Sequence, residues 1–138
     1  MTLEKLKQAL PEITDPKLLQ AILEKGQVMH LPSGKTLMEP GQFIKAVPLV
    51  IDGSIKIMRM DEDGKELFLY YLEEGETCAL SLTCCSAAKP SEIKAVVEED
   101  ATLIFIPVQI HEQWVDEFKQ WKDFVSSTYQ QRFREMLI

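Results

Sequence analysis

Apolar side chains recur every three or four residues at both ends of the chain and about every second residue between them. In TLEKLKQALPEITDPKLLQAILEK, residues 2–25, the positions Leu3, Leu6, Leu10 and then Leu18, Leu19, Ile22 and Leu23 keep the helical period. Two short amphipathic helices are predicted from that spacing. Pro11 cannot continue the first; Asp15 suits the cap of the second with Pro16 at its first position, and Gly26 supplies the stop.

From Gln27 the chain breaks into short segments divided by SG at 33–34, PG at 40–41, DG at 52–53, DG at 63–64 and EG at 74–75. Between these turns VMHL, VPLVI, SIKIMRM, ELFLYYL, IKAVV and ATLIFI are rich in β-branched and aromatic residues. Turn signals about every ten residues predict an antiparallel roll of about seven or eight short strands over 27–107. Asp52-Gly53 and Asp63-Gly64 both read as hairpin turns. The fold class expected is mainly β with flanking α: a double-stranded β-helix, or jelly roll, with two short N-terminal helices and a long C-terminal helix.

That last helix spans 108–138, with a break expected near Glu117. Trp114, Phe118, Trp121, Val125, Tyr129, Phe133 and Met136 or Leu137 form an apolar stripe over about five turns. The stripe is longer than one edge of a small barrel covers, which predicts a homodimer. Its expected interface is Phe118, Trp121, Val125, Thr128, Tyr129 and Phe133.

Composition narrows the partners. With 138 residues, 46% hydrophobic and 27% charged, the chain fits one domain. Fifteen Lys and Arg against 22 Asp and Glu leave a net charge of −7, which argues against binding nucleic acid through this chain. The longest apolar runs, Ala46–Ile51 and Ala101–Val108, are far below the roughly 20 residues that cross a bilayer. No secretory signal opens the sequence. A cytoplasmic protein without membrane contact is expected.

Catalytic chemistry is absent from the pattern: no Ser, His and Asp spacing and no GxxxxGK[ST] loop occurs, so no enzyme is expected. Cys78, Cys84 and Cys85 cluster in one loop, but their spacing matches no ferredoxin, and His30 and His111 lie far from them. Both histidines read as surface or capped residues. Neither cofactor nor metal is expected; the thiols read as apolar filler, with a redox or metal sensor as the alternative.

Taken together, LPSGKTLMEPGQ at 31–42, VIDGSIKIMRMDEDGKELFLYYLEEGE at 50–76 and EEDATLIFIP at 98–107 resemble the sensor domain of the Crp/Fnr family of bacterial transcription regulators. The resemblance implies the cyclic nucleotide-binding roll, a dimerising helix and an unknown small-molecule effector. It also implies a helix-turn-helix domain after residue 138, the only route to DNA. The domain is then divided into helices at 1–26, roll at 27–107 and helix at 108–138.

The resemblance places a phosphate-binding cassette at GETCALSLTCCSAAKPSEIKAV, residues 75–96. In the family it opens on Gly-Glu or Gly-Asp, repeats Gly-Glu, and closes on Arg followed by Ser or Thr. Gly75 and Glu76 match the opening, Ala79 and Leu80 stand at the second Gly-Glu, and Glu92 and Ile93 stand where Arg and Ser or Thr belong. The ligand-binding residues implied are Gly75, Glu76, Cys78, Ala79, Leu80, Ser81, Ser91, Glu92, Ile93 and Lys94. A carboxylate in place of the arginine repels a phosphate, so cyclic AMP is not the expected effector. A genuine nucleotide module with an unusual cassette is the other reading.

Overall fold

In the computed structural model, residues 1–86 and 88–137 are described, without the side chains of Cys85 and Ser86. Among the described residues, five helices and five strands follow one another in the order α1 (Leu3–Ala9), α2 (Pro16–Lys25), β1 (Gln27–Leu31), β2 (Thr36–Met38), β3 (Ala46–Met60), β4 (Glu66–Leu72), α3 (Ala79–Ser86), β5 (Ile93–Pro107), α4 (Val108–Glu117) and α5 (Lys119–Met136). The N-terminal helices begin and end where their capping residues stand. Asp15 accepts a hydrogen bond from the backbone N–H of Lys17 with Pro16 at the first position, and Gly26 closes α2 through the carbonyl of Ile22.

The strands are fewer and longer than the turn residues imply. All pairings are antiparallel, in the order β1-β5-β3-β4, with β2 joined to the far half of β5. β3 and β5 each run 15 residues and pair along nearly their whole length. Only one of the two Asp-Gly pairs is a hairpin: Asp63-Gly64 turns β3 into β4. Gly53 lies inside β3, where the register with β5 shifts on both sides of it. Its φ of +83° and the backbone of Asp100 and Ala101 packed against its Cα explain the glycine: it is a kink in a strand and not a chain reversal.

Two clusters fill the fold. Leu6, Leu18, Leu19 and Ile22 from the N-terminal helices meet Leu49, Ile51, Ile104 and Ile106 from the sheet and Trp114, Trp121 and Phe124 from α4 and α5. The second cluster, Leu31, Val50, Ile55, Ile57, Leu72, Cys78, Ile93, Val97 and Leu103, fills the roll. Each fully buried aliphatic side chain contributes about 1.5–3 kcal/mol relative to exposure, so the helices are held to the roll by burial rather than by their intrinsic propensity. Among the described residues no helix is long and apolar enough to cross a membrane.

The C-terminal helix breaks at Phe118, one residue from the expected point, because that residue is extended, with φ −116° and ψ 113°. Two corrections follow. Trp121 has no exposed surface and sits in the core of its own chain, so it is removed from the expected interface. His111, expected as a surface or capped residue, is buried and accepts a 3.0 Å hydrogen bond at Nδ1 from the indole N–H of Trp121.

Candidate functional site

The residues named from the sequence for the ligand loop divide among several places. Ala79, Leu80, Glu92 and Ile93 line a cleft of ≈ 550 Å³ together with Arg59, Leu69, Tyr70, Thr83 and Cys84 of the roll and Arg132, Glu135 and Met136 of α5. Cys78 and Ser81 turn the other way, into a small apolar space of ≈ 40 Å³ inside the roll. Gly75 and Glu76 border a second hollow of ≈ 200 Å³ against the α1–α2 loop and α5, which shares Arg132 with the cleft. Ser91 is buried in its own turn, where its hydroxyl oxygen accepts from the N–H of Ile93. Lys94 leaves the site altogether: its ammonium donates to Glu66 at 2.9 Å on the outer surface. Cys84 is buried and Cys78 is buried, both as free thiols, while the side chain of Cys85 lies outside the described residues.

Local structure explains this division. Beyond the turn at Gly75, residues 79–86 close into the helix α3, which presents Ala79, Leu80, Thr83 and Cys84 toward α5. In β4 the pairing with β3 slips between Ile57 and Met58, which face Tyr70 and Phe68 and leave Leu69 without a partner. The bulge brings the adjacent residues Leu69 and Tyr70 to the same cleft. Tyr70 is the floor of the polar end. Its phenol lies 3.6 Å from the Cys78 sulfur, and burial followed by the neighbouring thiol pushes its pKa up, so it stays a neutral phenol.

Two cations line the cleft, Arg59 of β3 and Arg132 of α5. The guanidinium of Arg132 stacks 3.8 Å above the Tyr70 ring, a cation–π contact in a partly desolvated setting. One Nη of Arg132 donates to Glu135 at 2.8 Å and the other lies 3.5 Å from Glu76. Glu76 also accepts from the backbone N–H of Glu73 at 2.8 Å and from the Gln131 amide at 3.1 Å. This carboxylate joins the turn before α3 to the C-terminal helix instead of facing the cleft. Sequence reasoning missed Arg59, Tyr70, Arg132 and Glu135. For Arg132 a signal was present, since Phe124, Thr128 and Arg132 are spaced by four and share one face of a helix. Tyr70 carried none, because its orientation depends on the bulge.

The expected interface also divides. Phe118 and Val125 pack partly on the core of their own chain, and Thr128 bonds back to the Phe124 carbonyl. Tyr129 and Phe133 stay exposed, Phe133 at 62%.

Residues 28–118 match the family model described as the cyclic nucleotide-binding domain. Among curated proteins, the chain is 36% identical over 69 residues to the "cAMP-activated global transcriptional regulator CRP" of Pasteurella multocida, an alignment covering 50% of this chain and 32% of the relative. The protein of the same name in Escherichia coli O157:H7 is 33% identical over 63 residues, covering 46% and 30%. The alignments thus span about a third of the length of these relatives. Among solved structures, the Thermus thermophilus catabolite activator protein superposes with a TM-score of 0.76 at 21% identity, over 96% of this chain and 59% of that one. The sensor domain of the transcriptional regulator DNR from Pseudomonas aeruginosa gives 0.69 at 19%, over 96% and 85%. At these identities the structural likeness establishes the fold.

Proposed function

The chain belongs to the cyclic nucleotide-binding domain family, and from that premise we propose that it is the effector-sensing and dimerising domain of a Crp/Fnr-like transcription regulator whose effector is not cyclic AMP. One observation carries the proposal. A single cleft is walled on one side by the cassette residues Ala79, Leu80, Thr83, Cys84 and Ile93 and on the other by Arg132, Glu135 and Met136 of α5. Whatever fills that cleft contacts both the roll and the helix that leads out of it. A ligand that binds better to one placement of α5 shifts the helix toward that placement by its difference in affinity. In the full regulator, a helix-turn-helix module after residue 138 converts that shift into DNA binding, and Tyr129 and Phe133 meet the same helix of a second copy. Regulation, not catalysis, is the role of residues 1–138.

The argument against cyclic nucleotide is chemical. Leu80 offers no acceptor for a ribose hydroxyl, Glu92 brings negative charge to the rim, and the Ser91 hydroxyl is engaged within its own turn. A charge-assisted contact contributes roughly 1.5–3 kcal/mol, and each 1.4 kcal/mol is about tenfold in affinity, so two missing contacts carry a micromolar site toward millimolar. Calorimetry with cyclic AMP and cyclic GMP is the test. Heats consistent with a dissociation constant above about 100 micromolar are expected; tighter binding would establish the nucleotide module with an unusual cassette, with Arg132 as its cation.

A further inference from the structure

We infer that the ligand of the cleft is a small organic monoanion, a carboxylate carried on an apolar body, with Arg132 as its anchor. The inference rests on reading the cleft as the effector site.

The walls set the body of the ligand. Leu69, Ala79, Leu80, Ile93 and Met136 surround the space with hydrocarbon, and its ≈ 550 Å³ falls within the range of about 300–1,000 Å³ for small-molecule sites. A sugar would leave its hydroxyls unpaired against Leu80 and Ile93.

Arg132 sets the head group. Its guanidinium is pinned flat on Tyr70, and its side chain is 16% exposed, so the fork of donors is held in one plane at the edge of the apolar walls. A planar fork matches a carboxylate, which accepts two parallel N–H bonds from it. Its present partners are replaceable. Glu135 is an i,i+3 neighbour at the rim, 49% exposed, and such surface pairs are weak. Glu76 stands at the long distance of 3.5 Å and is already served by Glu73 and Gln131. An incoming carboxylate that takes the place of Glu135 meets the same cation in drier surroundings, where attraction is less screened.

Charge balance limits the anion to one charge. Arg59 and Glu92 on the roll and Arg132 and Glu135 on α5 carry the charges of the lining, which sum to zero. A monoanion leaves one negative charge there and a phosphate dianion two. Displacing Glu135 into solvent offsets the first and not the second.

Octanoate and hydrocinnamate, each beside its primary amide, are the probes, measured on residues 1–138 by calorimetry and by hydrogen exchange along α5. Each acid is expected to bind about tenfold or more tighter than its amide, the contribution of one charge-assisted contact. Arg132→Gln should abolish that preference and Arg132→Lys keep part of it, with thermal melts showing that both variants are folded. Amides that bind as tightly as the acids, or a preference unchanged in Arg132→Gln, would overturn the monoanion while leaving an effector cleft in place. Binding that follows charge and Arg132 without changing exchange in α5 upholds the ligand class and overturns the sensing role. If no probe binds, the ligand class is wrong, and Leu80→Trp, which fills the cleft, then separates the two: altered exchange in α5 retains the sensing role and unaltered exchange removes it.

Discussion

Replacing Gly53 and Gly64 by alanine, one at a time, separates two costs that the sequence DG presents identically. Both glycines have φ near +80°: +83° at Gly53 and +80° at Gly64. The left-handed conformation costs a residue with a Cβ about 1–2 kcal/mol at either position. Only Gly53 is also crowded. A Cβ there would stand 2.6 Å from Ala101 Cα and closer still to the Asp100 carbonyl oxygen, whereas at Gly64 it would meet nothing within 4 Å. The obstructing atoms are backbone of β5, the strand paired with β3 along 15 residues, so they cannot rotate away as a side chain could. Overpacking of this kind adds about 1–3 kcal/mol.

Gly64→Ala is therefore expected to cost about 1–2 kcal/mol and Gly53→Ala about 2–5. Urea unfolding followed by the fluorescence of Trp114 and Trp121 measures both, the former 4% and the latter 0% exposed. An unchanged denaturant slope shows that the midpoint reports stability. At roughly 3 °C per kcal/mol for a chain of this size, the melting points should differ by about 3–9 °C. Equal losses in the two variants, within about 0.5 kcal/mol, would refute the crowded kink and return Gly53 to an ordinary turn.

Acid should weaken the fold through His111. Burial, opposed by the charge of Glu112, holds its pKa below 6.5; the unfolded chain thus takes up this proton first, and the stability is complete above about pH 6.5 and is lost as pH falls below it. In His111→Gln, which keeps an acceptor for the Trp121 N–H, the melting temperature between about pH 7 and 5 should fall less steeply than in the parent; identical slopes would remove His111 as the cause. Phe133→Asp should convert a dimer to a monomer at tens of micromolar in light scattering coupled to size exclusion. A monomeric parent, or a dimer that survives the substitution, would displace Tyr129 and Phe133 from the interface.

Period was legible in the sequence and direction was not. Asp15, Pro16, Gly26 and the break at Phe118 act within a few residues of themselves, and the helices begin and end where they stand. Strand number was overcounted because Asp52-Gly53 has the residues of a hairpin, while only β5 lying across it makes it a kink. The apolar stripe of α5 has the right period, yet Trp121 covers its own core and Phe133 is left outside, since period does not say which protein surface a helix face meets. The cassette failed differently. The resemblance placed Lys94 among the ligand-binding residues, and its ammonium instead pairs with Glu66, away from the cleft.

If the cleft holds the effector, having Arg132 on α5 rather than in the cassette changes what a ligand can report. An arginine within the cassette would hold an anion to the roll alone, and the helix would sense it only through packing. Arg132 is itself part of the helix, stacked on Tyr70 of β4 and within 3.5 Å of Glu76 at the turn before α3. Those two contacts tie α5 to the roll at adjacent points, and the guanidinium that makes both also faces the cleft. A ligand that draws the guanidinium away from Glu76 weakens one tie, and a ligand that presses it onto Tyr70 strengthens the other. The sign of the response therefore depends on where along the cleft the negative charge sits, and two anions of equal affinity can move α5 in opposite directions.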